Sequence, residues 1–593
     1  MRASNASPRA GRMNRIDNSL VNVIGSSPIA PKQAKYIETS HAPNTVGPEM
    51  MPPGRNNAGS VVRRAIACRG PISTQCARFE GNPTAMYSSI SAQVIAAPGW
   101  VMVVASSDMG ANRIGTGDRH GPCERRLPSV TGVAAAVVLF TRDLRVHDNP
   151  ALVGALAAAD RVVPLFVLDD SILQGGFAAP NRVHLLVDAL VDLRAALQAR
   201  GGDLVVRRGD PATEVATIVA ATGAASVHVA ADVSGFAQRR AARLQAAVEA
   251  AGAELVTHPG PPIVAPGTVL PTGGDHFKVF TPYWRAWERV RHRRAVLAAP
   301  DHVRLPEGID PGDIPDAAHL VDGAPSPELV RGGEHAARTR LDTWIEHGLA
   351  HYDELRDLCA VDGTSALSPA LHFGCLSATE VAARCDGRPG GEPFVRQLAW
   401  RDFHHQVTAA FPAIAASDYR PRGDRWDDDP QTFDAWTQGR TGYPIVDAAM
   451  RQLLATGWMH NRARMIAASF LVKDLHHDWR RGAAHFAHWL ADGDIAQNSA
   501  NWQWIAGTGN DTRPNRVFNP LRQAERFDPA GAYVHRWVPE LTGVAAPAVH
   551  RPWTLAPAER PAAYPDRIVD HDVAAAAFLA RRTGGGEQQR LPI

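Results

Sequence analysis

Lysine is nearly missing from this chain of 593 residues. Lys32, Lys35, Lys278 and Lys473 are all there is, so arginine supplies almost all of the 62 basic side chains. Arginine's planar fork suits phosphate contacts, and GC-rich coding produces the same bias. Net charge is also scarce: 60 acidic residues leave only +2. That excludes a global basic field, so any nucleic-acid footprint must be local. Cysteine occurs six times, at 68, 76, 123, 359, 375 and 385, and never as CxxC. The spacing excludes a zinc ribbon or a disulfide framework and matches a reducing, cytoplasmic setting. Three cysteines in the second half are too few for a four-cysteine iron–sulfur cluster built there. No apolar run reaches the ~20 residues of a membrane span. The longest, around 94–105, is broken by Pro98 and Gly99. A basic-then-apolar secretory pattern is missing from the N-terminus.

What is present reads as a soluble globular chain, 45% hydrophobic and 21% charged. Its length allows two or three domains with full cores. Residues 1–132 are the exception: rich in Pro, Gly, Ser, Asn and Arg, they are expected to be a disordered extension or the product of a start codon set too far upstream. Within them, Gly115, Gly117 and Gly121 approach a dinucleotide fingerprint. The third glycine comes one place late, and neither strand nor helix flanks it, so the motif is rejected.

From 133 the pattern changes. Short, partly β-branched apolar runs at 133–140, 162–168, 203–206, 226–230 and 254–256 read as buried strands. Helical stretches at 150–159, 181–200, 211–222 and 236–252 separate them. This alternation predicts a doubly wound, parallel five-stranded α/β domain over 133–262. Ligands of such sheets bind beyond the strands' carboxyl ends. The string from Thr141 to Pro150 stands there, with Asp148 or Asn149 as the helix cap and Pro150 at the first helical position. Residues 263–330, rich in Pro and Gly, read as a long connector. Helical periodicity over 331–560 predicts an all-α domain, and a tail over 561–593 is expected to fray.

One stretch organises the helical half: Asp492-Gly-Asp494, then Asn498, Trp502 and Trp504. Asp494, Asn498 and Trp502 are spaced i, i+4, i+8 and form one helical stripe, drifting ~40° per step. Trp504 points ~200° away from Trp502 on the same helix. Upstream come Trp400-Arg-Asp-Phe403, Gly442 to Met450, Gly457 to Met465, and Lys473 to Trp479. In this order the motifs resemble the flavin-binding half of the DNA photolyase and cryptochrome family, nearest the cyclobutane pyrimidine dimer photolyases. The string 141–150 resembles the family's opening motif, and 276–287 its connector.

The resemblance implies an α/β antenna domain, a connector and a helical domain that binds FAD. It assigns cofactor contacts to Tyr352, to the loop Thr364-Ser365-Ala366-Leu367-Ser368, and to Arg464, Asp492, Gly493, Asp494 and Asn498. Ala366 stands where many relatives carry Arg. Asn498 would face the flavin N5, where an amide can accept from a protonated nitrogen or donate to an anionic neighbour, while a carboxylate would repel a reduced anion. Trp502, Trp479 and Trp426 match an electron-hopping chain. Gln397, Trp400, Asn461, Met465 and Trp504 match the slot for a flipped pyrimidine dimer, and Arg356, Arg401, His404 and Arg462 further positions facing DNA. Gln397 replaces the Glu of many cyclobutane-dimer enzymes and occurs in (6-4) photolyases. Those relatives have His-His where this chain has His460-Asn461, so Asn461, Arg462 and Met465 favour cyclobutane chemistry. The implied partner is damaged DNA, with no membrane and a monomeric state. The implied second chromophore is 8-hydroxy-5-deazaflavin or methenyltetrahydrofolate, with Asp232 a candidate contact. The alternatives are a cryptochrome-like photoreceptor and a (6-4) photolyase.

Overall fold

The computed structural model describes residues 93–97, 100–104, 135–292 and 294–584. Most of the expected extension over 1–132 therefore lies outside the described residues. Inside it, Gln93–Ala97 pairs antiparallel with Trp100–Val104, so the apolar run around 94–105 forms two strands. Residues 123–593 are a separate compact unit. Among the described residues no helix is long and apolar enough to cross a membrane.

Five parallel strands open the second unit: β1 (Ala135–Phe140), β2 (Arg161–Asp169), β3 (Val205–Gly209), β4 (Ser226–Ala230) and β5 (Glu254–His258). Their order is β3-β2-β1-β4-β5. Helices α1 (Pro150–Ala158), α2 (Pro180–Gln198), α3 (Pro211–Thr222) and α4 (Gly235–Ala250) cover both faces. Central β1 is buried throughout, as its unbroken apolar run requires. Val137, Leu139, Val163 and Val227 pack toward α3 and α4. Val138, Phe140 and Phe166 face a second core, which continues through the connector into the helical half. The sequence's capping residues start three of these helices. Asn149 accepts from the Leu152 N–H at 3.0 Å, Asp210 from Ala212 and Thr213, and Ser234 from Ala237. Asn149, then, is the cap. Asp148, at φ +47°, turns instead to Arg294 and Ser377.

The helical half contains α5 (Gly391–Ala410), α6 (Pro444–Thr456), α7 (Asn461–Ser469), α8 (Trp479–Trp489) and α9 (Ile495–Ala506). Helix α9 packs against α5, α7 and α8, and a third core fills the space between α6, α7, α8 and α9. The connector is not a loose linker. Its Trp287 indole and Val264 N–H both donate to Asp402 of α5, at 2.8 and 2.9 Å. Gln406 of α5 bonds both backbone groups of Phe277. The tail corrects an expectation: α10 (His571–Gly584) is a packed helix rather than a frayed end. Its His571 bonds Asp474, Arg581 bonds Asp427, Arg582 bonds Asp424, and Phe578 is buried. Residues 585–593 lie outside the described residues.

Candidate functional site

The site is built around the turn into α9. Asp494 caps that helix, accepting from the Gln497 N–H at 2.9 Å. Asp492, two residues earlier, receives Arg464 of α7 bidentately at 3.0 and 2.9 Å, and Arg464 Nε fixes the Met459 carbonyl. Burial alone would raise the Asp492 carboxyl; the Arg464 guanidinium outweighs it and holds the group below the usual range. Gly493 is required by close packing, since a Cβ there would stand 2.8 Å from Arg182 Nη1. Arg182, from α2, uses that guanidinium on the carbonyl groups of Phe177, Ala487 and Leu490.

Asp494 is paired from the other domain. Arg142, just past the end of β1, donates to Asp494, to Asp232 at 3.4 Å and to the His372 carbonyl at 3.1 Å. His405 Nε2 lies 3.9 Å from Asp494. Burial opposes ionisation of Asp494, but the Arg142 guanidinium more than offsets it, so the carboxyl stays well below its ordinary range. Burial drives His372 and His405 down to about 3. His372 Nδ1 and His405 Nε2 are buried without a hydrogen-bond partner, polar atoms that a bound group can satisfy. Asp232 is committed to Arg142, and this removes the basis for reading it as a free chromophore contact.

On α9 the expected stripe is present. Asn498 Nδ2 donates to the Ala483 carbonyl at 2.9 Å, which leaves Oδ1, an acceptor, as the amide atom open to a ligand. Trp502 is buried against Phe486 and Trp436, at ring separations of 4.9 and 6.2 Å. Gly482 of α8 makes room for it: a Cβ there would lie 2.2 Å from the Trp502 ring. Trp479 begins the same helix one turn earlier, fully buried, with its indole N–H donating to Asp418 at 2.9 Å. Trp426 is half-buried between Asp424 and Asp427, and the Asp427 N–H bonds the His476 carbonyl near Trp479. Trp504 points away from Trp502, its ring under Arg516 at 4.8 Å.

Tyr352 is buried between Trp344 and Phe394, and burial pushes its hydroxyl up to about 12. The loop 364–368 turns on Ala366, at φ +51°, and leads into the short helix Ser368–Phe373. Arg340 braces it, donating to the carbonyls of Ser365 at 2.9 Å and Thr364 at 3.3 Å. A cavity of about 530 Å³ opens beside the loop, lined by Thr364, Ala366, Leu367, Trp458 and His460. It does not reach Asp494, Asn498 or Trp502. The hydroxyl-bearing loop, the Arg464–Asp492 pair, the free Asn498 acceptor and the orphaned imidazole nitrogens fit a flavin dinucleotide.

The outer residues divide. Asn461 is exposed on α7, its amide 3.9 Å from Met465 Sδ. Gln397 and Trp400 are half-buried on α5, with Gln397 bonded weakly to the Pro393 carbonyl and Trp400 stacked on Phe280 at 3.7 Å. Arg356 is partly exposed and paired only with Asp353, one turn away. Arg462 is held by Asp357 at 2.8 Å and lies over Phe527. Two assignments are corrected. Arg401 is 11% exposed and spends its guanidinium on the carbonyls of Pro261 and Leu371, so it ties the end of the α/β segment to the helical half rather than facing DNA. His404 is buried and bonds Gln497 behind Trp400. Sequence reasoning missed Arg142, Arg340, His372, His405, Asp418, Trp436 and Phe280. Of these, Arg142 and Phe280 stood inside strings it had singled out, 141–150 and 276–287.

An α/β sheet domain joined to a helical bowl with paired acids and an indole stripe defines a photolyase-type flavoprotein architecture. Two family models match: DNA photolyase over residues 136–302, and the FAD binding domain of DNA photolyase over 394–583. A deoxyribodipyrimidine photo-lyase from Streptomyces griseus is 54% identical over 455 residues, covering 76% of this chain and 99% of that protein. Among solved structures, a class III photolyase from Agrobacterium tumefaciens superposes with a TM-score of 0.73 at 32% identity, over 78% of this chain and all of that one. An archaeal photolyase from Sulfolobus tokodaii with two FAD molecules gives 0.68 at 30% identity, over 76% and 100%. The chain belongs to the DNA photolyase and cryptochrome family.

Proposed function

We propose that this chain is a light-driven deoxyribodipyrimidine photo-lyase that splits cyclobutane pyrimidine dimers in DNA. The observation that carries this reading is that α5, with half-buried Trp400, and α7, with exposed Asn461 and half-buried Met465, both pack on α9, which carries half-buried Trp504. Reduced FAD, once bound and excited by blue or near-ultraviolet light, supplies the electron that opens the cyclobutane ring and recovers it afterwards. The chain's part is to hold and position. Asn498 Oδ1 would accept from a protonated flavin nitrogen, and Asp494, beside the Arg464–Asp492 pair, would hold the flavin's edge. Trp400 and Trp504 form flat apolar walls for the extruded pyrimidines. Asn461 and Gln397 bond the base edges without changing protonation state. His460 supports this choice of lesion: its ring is buried and caps α7, accepting from the Arg462 N–H at 3.1 Å, so no imidazole accompanies Asn461 toward substrate.

Trp502, Trp479 and Trp426 pass electrons inward when the flavin must be reduced. A second, light-harvesting chromophore, a deazaflavin or a folate, belongs to the α/β domain. The ends of β1 and β4, where the order of connections reverses, support that placement. The protein acts as a cytoplasmic monomer. Illuminating reduced protein with DNA carrying either lesion tests the proposal. Repair of cyclobutane dimers is expected; repair of only (6-4) lesions, or of neither, would overturn it.

A further inference from the structure

Asp418 and Arg480 bracket the middle tryptophan with opposite charges. The Trp479 indole N–H donates to Asp418 Oδ1 at 2.9 Å. Arg480 Nη2 donates to the same oxygen at 2.7 Å, and its guanidinium carbon lies 4.7 Å above the Trp479 ring. Arg480 is itself held by the Ala416 carbonyl at 2.7 Å and by Asp478 at 3.1 Å. Trp479 is fully buried, and the Asp418 carboxylate, 17% exposed, meets its indole directly, while Arg480, 33% exposed, is more screened. Neither Asp418 nor Arg480 belongs to the cofactor or lesion set described above.

We infer that Asp418 is a positioning residue for photoreduction: it makes Trp479 easier to oxidise and offsets the opposing charge of Arg480. The inference rests on the tryptophan-chain reading. In the step concerned, Trp479 gives one electron to the indole of Trp502, already oxidised by one electron. Trp502 returns to its neutral form and Trp479 becomes a radical cation. No bond breaks: Nε1 keeps its proton, which stays shared with Asp418 Oδ1. Trp426 then re-reduces Trp479, and a thiol in solution re-reduces Trp426. The carboxylate lies closer to the indole than the guanidinium does, so the net field favours the cation. Without Asp418 that gain is lost and Arg480, offset only in part by Asp478, opposes the cation.

The test uses flavin-loaded, full-length protein. Asp418→Asn should slow thiol-driven photoreduction about tenfold, equivalent to about 1.4 kcal/mol in the driving step. Repair by protein reduced chemically beforehand should be unchanged. Asp418→Asn with Arg480→Gln should recover most of the rate, since both charges are then gone; a purely structural role would make the pair worse. The indole N–H resonance of Trp479, assigned by its loss in Trp479→Phe, should move in Asp418→Asn. If Trp479→Phe photoreduces normally, the chain reading fails. If Trp479→Phe blocks photoreduction and Asp418→Asn does not slow it, or the double variant is slower still, the inference about Asp418 fails alone.

Discussion

Replacing Arg142 with Met should loosen the cofactor site from the far side of the domain boundary. Arg142 is the charge partner of two acids, Asp494 and Asp232, with side chains only 6% and 7% exposed. Removing it leaves both carboxylates buried without a direct ion-pair partner, with only the more distant Arg401 and Arg240 and backbone N–H donors to offset them. Breaking such a pair by deleting one partner costs about 3–5 kcal/mol. His405, 3.9 Å from Asp494, is the nearest group able to supply a replacement charge, but burial holds it neutral at neutral pH. The deficit should therefore be full at pH 7.5. It should shrink as pH falls, because the uncompensated acids then take up protons in the folded state and the penalty of their charge disappears. The cap on α9 survives either way, as a neutral Asp494 still accepts from Gln497. Urea titration followed by circular dichroism and flavin absorbance together measures both stability and cofactor retention. Asp232→Asn is the control: it leaves the Arg142–Asp494 pair intact and should cost about 1 kcal/mol. A loss below roughly 1 kcal/mol for Arg142→Met at pH 7.5, with flavin retained, would refute the reasoning, because a broken buried pair cannot be that cheap.

Other consequences are testable in the same preparation. Trp502→Phe should block photoreduction of the oxidised flavin while protein reduced beforehand still repairs; normal photoreduction would remove Trp502 from the chain. Gly482→Ala gains up to about 1 kcal/mol of helix propensity. It should nevertheless lower stability by about 1–2 kcal/mol net, because the new methyl displaces the Trp502 ring, and a melting temperature at or above the parent's would contradict the packing. Burial holds His372 and His405 at about 3 and His460 at about 4. The unfolded chain protonates them near 6.5, so stability should be flat above pH 7 and fall below 6.5, by up to about 1.4 kcal/mol per histidine at pH 5.5. A urea midpoint unchanged between pH 7 and 5 would rule this out.

What could be read from the residues alone was whatever is encoded locally. The five strands announced themselves through β-branched runs, and the first helix start through the Asp148–Asn149 pair with Pro150; the caps Asp210 and Ser234 were not singled out. The stripe Asp494–Asn498–Trp502 followed from helical spacing, as did the opposite direction of Trp504. Long-range pairing was invisible to such reasoning. Arg142 and Asp494 are 352 positions apart, and no periodicity links them. Arg401 and His404 were misassigned because the repeat of α5 reveals two faces but not which one Pro261, Leu371 and Gln497 of α9 cover. The tail was expected to fray because chain ends order poorly unless tied down, and this one ends in a Gly-rich run. Its order comes from pairs with Asp424, Asp427 and Asp474, which are made only in the folded chain.

The two aromatic walls show why the connector matters to the chemistry. Trp400 lies with one face against Phe280, nearly parallel at 9°. Phe280 opens the connector's helix, which Trp287 pins to Asp402. Trp504 likewise has Arg516 over one face. On the proposed reading, in which these indoles stack on the extruded bases, the backing residue sets the plane of each wall. A connector free to drift would let Trp400 rotate, and Asp402, which reaches both Trp287 and Val264, holds the connector in place. Asp402→Asn should therefore loosen that wall and lower dimer repair relative to the parent; unchanged repair with unchanged folding would refute this step.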